Sequence, residues 1–224
     1  MNKKIKDQLI SIHQMILVKD YASSHKSIDK LLKKNTTSHE LLNLKAYIYM
    51  SQGFWNESLD VLKKSNLFHP KIIDTYFNLG IVYENKNNFE NAISSYMECI
   101  NLNKNFVDPY IQIVRIHIQN FEIEDALKTI DSLLKIDSNI EIAHHLAAQC
   151  YRLIHNYSKQ EESLKKALSL NPTNSANYVY LAFIKLWQHN IAEAKNLLLN
   201  AIEIDQNNTF AIFNLMEIDK SALK

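Results

Sequence analysis

The sequence is poor in the residues that interrupt regular structure, because its 224 residues include only 2 glycines and 3 prolines. A loop that binds phosphate through its backbone needs several closely spaced glycines, and an all-β protein needs frequent turns. The composition therefore argues against a glycine-rich nucleotide site and against an all-β fold.

An excess of charge of either sign is also absent. The 25 lysines and arginines almost balance the 24 aspartates and glutamates, which leaves a formal net charge of +1. Binding to nucleic acid or to an anionic membrane depends on a basic field. We therefore expect no nucleic-acid partner and no membrane partner.

Long hydrophobic runs are missing as well. The N-terminal stretch, residues 1–20, begins with basic residues and carries an apolar stripe that Gln8, Ser11 and His13 interrupt. No run approaches the roughly 18 apolar residues of a membrane helix, and no small-residue cleavage site follows. These features indicate an amphipathic helix rather than a signal peptide, and they predict a cytoplasmic protein.

What the sequence does contain is a repeat of 34 residues. Steps of 34 from Ile73 give equivalent starting points without insertion or deletion: Ile5, His39, Val107, Glu141, Ser175 and Thr209. A fixed period of 20–50 residues is typical of a repeat array. The predicted repeats 1 to 6 are 5–38, 39–72, 73–106, 107–140, 141–174 and 175–208, with a terminal helix at 209–222. Positions within a repeat are called places 1 to 34 below.

Residues of one kind recur at fixed places. Place 24 is large: Ile28, Leu62, Tyr96, Ile130, Leu164 and Leu198. Place 20 is mostly small: Ser24, Ser58, Ala92, Ala126, Gln160 and Ala194. Place 31 is Asn or Asp in five of the six repeats, which suits a turn. Because small residues let two helices cross closely and large ones fill the space beside them, each repeat predicts a helix hairpin. Helix A starts at place 1 and helix B at place 17.

At these places the chain resembles the tetratricopeptide repeat (TPR) family. The resemblance is carried, at the family's spacing, by Tyr76, Leu79, Gly80, Tyr83, Ala92, Tyr96 and the pair Asn171-Pro172. It covers six repeats and implies an all-α fold, a right-handed α-solenoid superhelix that forms a single domain over residues 1–224. The chain departs from the pattern at Ser11 and Gln8 in repeat 1, and at Gln160 in repeat 5, where a small residue is expected.

The resemblance also implies that the A helices line a concave groove at places 2, 5, 6, 9 and 12. The two arginines of the chain, Arg115 and Arg152, both fall at such places. Three amide side chains accompany them: Asn78, Gln112 and Gln149. Because guanidinium groups suit carboxylates and amides bond peptide backbones, we predict that these five residues bind a peptide. An ion pair between Arg115 and Glu84, and an Arg152 that is merely solvated, are the open alternatives.

The C-terminal part of the predicted groove is apolar. It contains Val179, Tyr180, Phe183 and Leu186, together with Ile142 and Leu146. An exposed apolar patch usually marks a partner, so Tyr180 and Phe183 join the predicted partner-binding residues. Phe210 and Phe213 of the terminal helix belong to the same surface, which leaves self-packing or a homodimer as an equal alternative.

No motif predicts chemistry. The HExxH, paired CxxC and nucleophile-elbow patterns do not occur, and most of the 9 histidines fall in turns, joints or packing places. The pair Glu161-Glu162 indicates a solvated charge run. Cys99 and Cys150 are expected to be small core residues. We predict that the chain is not an enzyme and holds no metal and no cofactor.

Two functions remain open. The first is an interaction scaffold that binds a protein or peptide ligand, either a peptide or a partner helix, in the concave groove. The alternative is the substrate-recognition segment of a larger bacterial transferase, such as a glycosyl- or sulfotransferase, without catalytic residues in this chain. The two-carboxylate clamp by which some TPR proteins hold chaperone C-termini is not expected. No frame has all of its lysine, asparagine and arginine residues, and the frame that starts at His39 has Asn78 alone.

Overall fold

The structure, a computed structural model, describes residues 3–222, with side chains described from Asp7 to Lys220. This part of the chain contains thirteen helices and no strand. They are α1 (Lys3–Leu17), α2 (Tyr21–Leu32), α3 (His39–Ser51), α4 (Trp55–Phe68), α5 (Ile73–Asn85), α6 (Phe89–Leu102), α7 (Val107–Gln119), α8 (Ile123–Ile136), α9 (Glu141–Leu153), α10 (Tyr157–Leu170), α11 (Ser175–Trp187), α12 (Ile191–Ile204) and α13 (Thr209–Ala222). From α2 onward every helix begins at place 1 or place 17 of a predicted repeat. The predicted all-α solenoid is confirmed.

Residue contacts divide the chain into two compact units, Met1–Pro109 and Tyr110–Lys224, called the N-terminal and C-terminal units here. In the N-terminal unit each helix from α1 to α6 packs against the next one along the chain. In the C-terminal unit the same holds from α8 to α13. Each unit is thus a stack of helix hairpins. That residues 1–224 form a single continuous domain stays a prediction. Residues 1–2 and 223–224 of this range lie outside the described part of the chain.

The turn between helices A and B is built in the same way in all six repeats. Place 15 adopts a left-handed conformation with φ between 55° and 77°, at Lys19, Gly53, Asn87, Phe121, His155 and His189. The N–H at place 16 then donates to the carbonyl at place 11, as from Asn88 to Tyr83 at 2.8 Å and from Asn156 to Tyr151 at 2.8 Å. This closure is the Schellman motif, which caps the carbonyls at the end of helix A.

Asn and Asp side chains cap the starts of helices and stabilise the turns between repeats. At place 16 they accept a hydrogen bond from the N–H three residues later, in Asp20, Asn88, Asn156 and Asn190. At place 31 they accept from the N–H two residues later over 2.8–3.1 Å, in Asn103, Asp137, Asn171 and Asp205. These bonds satisfy N–H groups that a helix start or a turn leaves free. They confirm the role predicted for Asn and Asp at the joints.

The small and large places form the core of each hairpin. Every side chain at places 20 and 24 is buried. In repeat 3 a Cβ atom added to Gly80 would lie 2.3 Å from Cε1 of Tyr96, so only glycine leaves room for the ring. The Tyr96 hydroxyl donates to Oε2 of Glu84 at 2.9 Å, and burial raises the pKa of Tyr96.

Both cysteines are free thiols in the core. Burial raises the pKa of Cys99 to about 12 and that of Cys150 to about 11. Because the thiolate is the reactive form, neither sulfur is suited to act as a nucleophile or a metal ligand at neutral pH. The prediction that both are core residues is confirmed.

Candidate functional site

The predicted site residues lie on A helices in both units. Asn78 lies on α5 of the N-terminal unit. The other six belong to the C-terminal unit: Gln112 and Arg115 on α7, Gln149 and Arg152 on α9, and Tyr180 and Phe183 on α11. The structure brings Gln149, Arg152 and Tyr180 around one small cleft between α9 and α11.

Asn78 is tied into the packing of its own unit. Its Nδ2 donates to Oδ1 of Asn43 at 3.2 Å. Asn43 is buried and donates in turn to Oγ1 of Thr75 at 2.7 Å and to the carbonyl of His39 at 2.9 Å. One amide N–H of Asn78 is therefore used to join α3 to α5, which leaves its second N–H and its carbonyl oxygen for a ligand.

Arg152 is exposed but not free in solvent. Its guanidinium carbon lies 6.0 Å from the centre of the Tyr180 ring, within the range of a cation–π contact. Gln149, half-buried, stands one helical turn before it on α9. Among the described residues of the C-terminal unit, neither Arg115 nor Arg152 forms an ion pair. Arg152 thus keeps its N–H donors available beside an aromatic ring.

A chain of hydrogen bonds beside this pair links α9 to α11. Nε2 of Gln149 donates to Nε2 of His145 at 2.8 Å, and Nδ1 of His145 donates to Oδ1 of Asn177 at 2.5 Å. Asn177 is fully buried, and its Nδ2 donates to Oε1 of Glu141 at 3.0 Å. This pattern requires a neutral imidazole with its proton on Nδ1. It fixes the side chain of Gln149 relative to Arg152.

Sequence reasoning missed His145, Asn177 and Glu141 as a connected group. A signal was present, because His145 stands at place 5 and Asn177 at place 3 of the next repeat. The same relationship joins Asn43 to Thr75 in the N-terminal unit. Polar residues at both of these places, 32 residues apart, would have indicated both contacts.

The remaining predicted residues of the C-terminal unit lie outside this chain of bonds. Gln112 is half-buried and Arg115 is exposed on α7, and no hydrogen bond between described side chains joins either to Gln149 or Arg152. Phe183 is half-buried and meets Phe210 of α13 edge to face, with ring centroids 5.6 Å apart. Their roles in binding stay predictions.

The apolar end of the predicted groove is partly covered. Leu146 and Val179 are buried, and Val179 packs in a cluster with Ala211 and Ile218 of α13. The terminal helix therefore covers part of this surface at Val179, which agrees with the self-packing alternative. The side chains left exposed are those of α13 itself: Phe210 at 59%, Phe213 at 60% and Met216 at 53%.

Glu161 also departs from its prediction, since it is not part of a solvated charge run. Its carboxylate accepts from Lys165 at 2.7 Å, from Lys185 at 2.8 Å and from Gln188 at 3.0 Å. Hydrogen bonds from Lys165 and Lys185 lower the pKa of Glu161 to about 2, and Glu161 raises the pKa of the buried Lys185. The cluster fastens α10 to α11. Glu162 alone matches the predicted exposure.

Residues 7–220 contain no group of three or more histidine, cysteine, aspartate or glutamate side chains placed to hold a metal ion. No helix in residues 3–222 has the length and the apolar content needed to cross a membrane.

These hairpins define a protein of the helical-repeat class. The family model of the tetratricopeptide repeat matches residues 73–106 and 142–174. These stretches lie in predicted repeats 3 and 5. The chain is a tetratricopeptide repeat protein.

Known proteins resemble the chain over different lengths. The Sol locus transcriptional repressor of Clostridium acetobutylicum is 38% identical over 69 residues, which are 31% of this chain and 22% of that protein. A tetratricopeptide repeat protein from Parabacteroides merdae has a similar structure, with a TM-score of 0.66 at 17% identity over 97% of this chain and 99% of its own. YrrB has a TM-score of 0.63 at 14% identity, over 84% of this chain and 96% of its own. The chain spans between 22% and 34% of the length of the curated relatives that it matches.

Proposed function

We propose that the protein is an interaction scaffold that binds a partner peptide on the A helices of repeats 5 and 6. One observation carries this proposal: the guanidinium of Arg152, without an ion-pair partner in the described C-terminal unit, lies over Tyr180 and beside the amide of Gln149. Fixed donors beside an aromatic ring suit an extended peptide, whose carbonyl and carboxyl groups accept hydrogen bonds. Phe183 extends the aromatic surface toward Phe210.

The comparisons support the class of ligand. YrrB is described as a TPR protein with an unusual peptide-binding site. We infer that a peptide is also the ligand here, with Gln112 and Arg115 as further contacts within the C-terminal unit and Asn78 as a contact within the N-terminal unit. A cytoplasmic location, and partners that are neither nucleic acid nor membrane, belong to the same proposal. The transferase alternative keeps the same peptide- or substrate-binding role for these residues.

A second surface favours self-association. Phe210, Phe213 and Met216 of α13 are more than half exposed, whereas Ala211 and Ile218 of the same helix are buried against the hairpin core. The helix therefore has one packed apolar face and one apolar face open to water. We propose that a second copy of the chain covers the open face, because burying large apolar side chains favours association.

Selection from a random-peptide display library tests the peptide proposal. Peptides recovered with the parent protein are expected to lose binding to Arg152→Glu and to keep it with Lys166→Glu. The control makes the same charge change at an exposed residue of α10. Recovered peptides that bind Arg152→Glu as tightly as the parent would show that the ligand lies elsewhere.

A further inference from the structure

Helices α9 and α10 form a second, open cleft with a volume of about 720 Å³. His144 and Tyr151 of α9 line it together with three lysines of α10, and it is called the lysine cleft here. It shares no lining residue with the cleft beside Arg152. His144 and His145 lie in different clefts because neighbouring residues on a helix point about 100° apart. The lysine cleft therefore opens on another face of α9 than the proposed peptide site.

The lysine cleft has room because place 4 of repeat 5 lacks a large apolar ring. Repeats 3, 4 and 6 have a tyrosine at this place that is buried or packs against a core cluster: Tyr76, Tyr110 and Tyr178. His144 is smaller, and its Nε2 donates to the carbonyl of Ser138 at 2.9 Å. Gln8, the polar residue at place 4 of repeat 1, also lines a cleft, of about 210 Å³. A polar residue at place 4 thus leaves space beside helix B.

The three lysines of the cleft stand at places 19, 25 and 26: Lys159, Lys165 and Lys166. No other repeat has lysine at all three of these places, and place 19 is Ser, Glu, Asn, Asp and Glu in repeats 1, 2, 3, 4 and 6. The three side chains are exposed, so the packing of the hairpin does not require a positive charge there. Their concentration around an open cleft indicates a ligand of opposite charge.

Two of these lysines have no carboxylate partner among residues 7–220. Lys165 pairs with Glu161 at 2.7 Å. The ammonium of Lys159 instead lies 5.3 Å from the centre of the Tyr151 ring, in a cation–π contact that keeps it at the cleft. Lys166 forms no ion pair in the described part of the chain. The charges of Lys159 and Lys166 are therefore available to an anion.

Two further polar residues line the cleft. Ser163 stands at place 23, where Ser95 of repeat 3 donates to the carbonyl of Asn91 at 2.8 Å. The hydroxyl of Ser163 makes no such bond to a described residue, so it is left as a donor for a ligand. Glu162 is the acid in the lining, and its like charge weakens the binding of any anion. Its removal therefore tests the sign of the ligand's charge.

We propose that the lysine cleft binds a phosphate ester, with Lys159 and Lys166 as the cations that pair with the phosphate and Ser163 as a hydroxyl donor to it. A phosphate ester carries between about −1.5 and −2 charges at neutral pH and three acceptor oxygens, which suits two ammonium groups and a hydroxyl. The volume of the cleft lies within the range of small-molecule sites, roughly 300–1,000 Å³, so the rest of the ester is accommodated as well. This site is independent of the proposed peptide site.

The phosphate belongs either to a phosphorylated side chain of a partner or to a small phosphorylated molecule, and NMR titrations of the full chain at constant ionic strength separate the two. N-acetylphosphoserine N-methylamide represents the side chain and glycerol 2-phosphate the small ester, while succinate is a dianion without phosphate. The ring signals of His144 and Tyr151 report on the lysine cleft, and those of His145 and Tyr180 on the other cleft.

We expect a phosphate ester to move the signals of His144 and Tyr151 to saturation while those of His145 and Tyr180 stay in place. Succinate is expected to cause no saturable movement. The ester that binds more tightly identifies the source of the phosphate. Equal affinity for succinate, or no saturable movement with either ester, overturns the proposal.

His144→Tyr tests whether the cleft itself is the site. Because it restores the residue found at place 4 of repeats 3, 4 and 6, it is expected to fold and to fill the cleft, with loss of saturable binding. Circular dichroism during urea unfolding verifies that the variant is folded. Parent affinity in folded His144→Tyr would place the phosphate outside the lysine cleft.

Three charge variants test the named residues. Lys159→Gln and Lys166→Gln are each expected to raise the dissociation constant about tenfold, and Glu162→Gln to lower it. Lys64→Gln is the matched control, since Lys64 is exposed at the same place 26 in repeat 2, where a buried Leu42 stands at place 4. Parent affinity in both cleft-lysine variants, or weaker binding in Glu162→Gln, contradicts the proposal.

The phosphate site and the peptide scaffold fail separately. Lys166→Glu is expected to lose phosphate binding and to keep the displayed peptides, whereas Arg152→Glu is expected to do the reverse. Phosphate binding that survives Lys166→Glu and is lost in Arg152→Glu would overturn the lysine cleft without affecting the peptide test. Displayed peptides that ignore Arg152→Glu would overturn the peptide site and leave the phosphate site standing.

Discussion

Nδ1 of His145 lies 2.5 Å from Oδ1 of Asn177, one repeat further along the chain, and this contact joins the A helices of repeats 5 and 6. The N-terminal unit contains the same relationship, with Nδ2 of Asn43 2.7 Å from Oγ1 of Thr75. In both pairs a polar side chain at place 5 meets one at place 3 of the next repeat. Such a hydrogen bond is directional, so it sets how neighbouring A helices align in a way that apolar packing does not.

Asn177→Leu is expected to destabilise the protein by about 1–3 kcal/mol, because the imidazole N–H of His145 and the carboxylate of Glu141 each lose a buried partner. Urea unfolding followed by circular dichroism measures the change. Asn174→Ala is the matched control, since Asn174 also donates to Glu141 but is only half-buried. A midpoint for Asn177→Leu at or above that of the parent would contradict a stabilising role for the bond.

The Glu161 cluster predicts a specific dependence of stability on pH. The pKa of Glu161 is lowered from 4.5 to about 2 in the folded protein, so its contribution is complete above pH 4.5 and disappears as the pH falls toward 2. Glu161→Gln is therefore expected to be less stable than the parent by about 2 kcal/mol at pH 6, and the difference should shrink by pH 3. Urea midpoints at both pH values measure it.

The control for this experiment is Glu162→Gln, which removes an exposed carboxylate from the next position of the same helix. The difference in stability between Glu162→Gln and the parent should be small at both pH values, as is usual for exposed charges. A difference between parent and Glu161→Gln that stays constant from pH 6 to pH 3 would show that the cluster does not depend on the ionisation of Glu161.

Phe121 is a target for stabilisation. It adopts φ 60° at place 15, although its side chain is 76% exposed and contributes little burial. Because a left-handed conformation is unfavourable for residues with a Cβ and not for glycine, Phe121→Gly is expected to raise stability by about 0.5–1 kcal/mol. Thermal or urea unfolding measures the gain.

Asn87→Gly serves as its comparison, since Asn87 has φ 55° and asparagine tolerates this conformation better than phenylalanine. The gain at Asn87 should be the smaller of the two. Loss of stability in Phe121→Gly would mean that the phenylalanine ring contributes more through contacts than its conformation costs.

Self-association through α13 is tested by size-exclusion chromatography with light scattering at several concentrations. The parent is expected to approach the mass of a dimer as the concentration rises, and Phe210→Glu or Phe213→Glu to remain a monomer. Leu199→Glu, which places the same charge at another exposed apolar residue, on α12, should behave like the parent. A parent that is monomeric at every concentration excludes this dimer.

Much of the fold could be predicted from the sequence, because the signals that specify a hairpin are local. Small and large residues of one repeat decide how closely its two helices cross, and Gly80 at place 8 beside Tyr96 at place 24 is the clearest case. Asn and Asp at places 16 and 31 bond backbone groups two or three residues away. For the same reason twelve helix starts fell where the period placed them.

The candidate site was predicted in part. The choice of Gln149, Arg152 and Tyr180 relied on their places in the repeat, and these three do line one cleft. Whether Leu146 and Val179 are exposed stayed open, because a place number does not tell which side chains the following helix covers, and the structure shows both to be buried. The departure at Gln160 was visible in the sequence, but the sequence did not show that this side chain lines the same cleft.

The sequence by itself determined the helix hairpins, their boundaries and their turns, since these depend on contacts within one repeat. Only the tertiary structure decided that His145 bonds Asn177, that Gln160 lines the cleft between α9 and α11, and that Lys185 is buried against Glu161. These contacts cross from one helix to another, between hairpins or from helix B to the A-helix face. Their distances depend on how neighbouring helices are rotated and spaced, which residue identity at a single place does not specify.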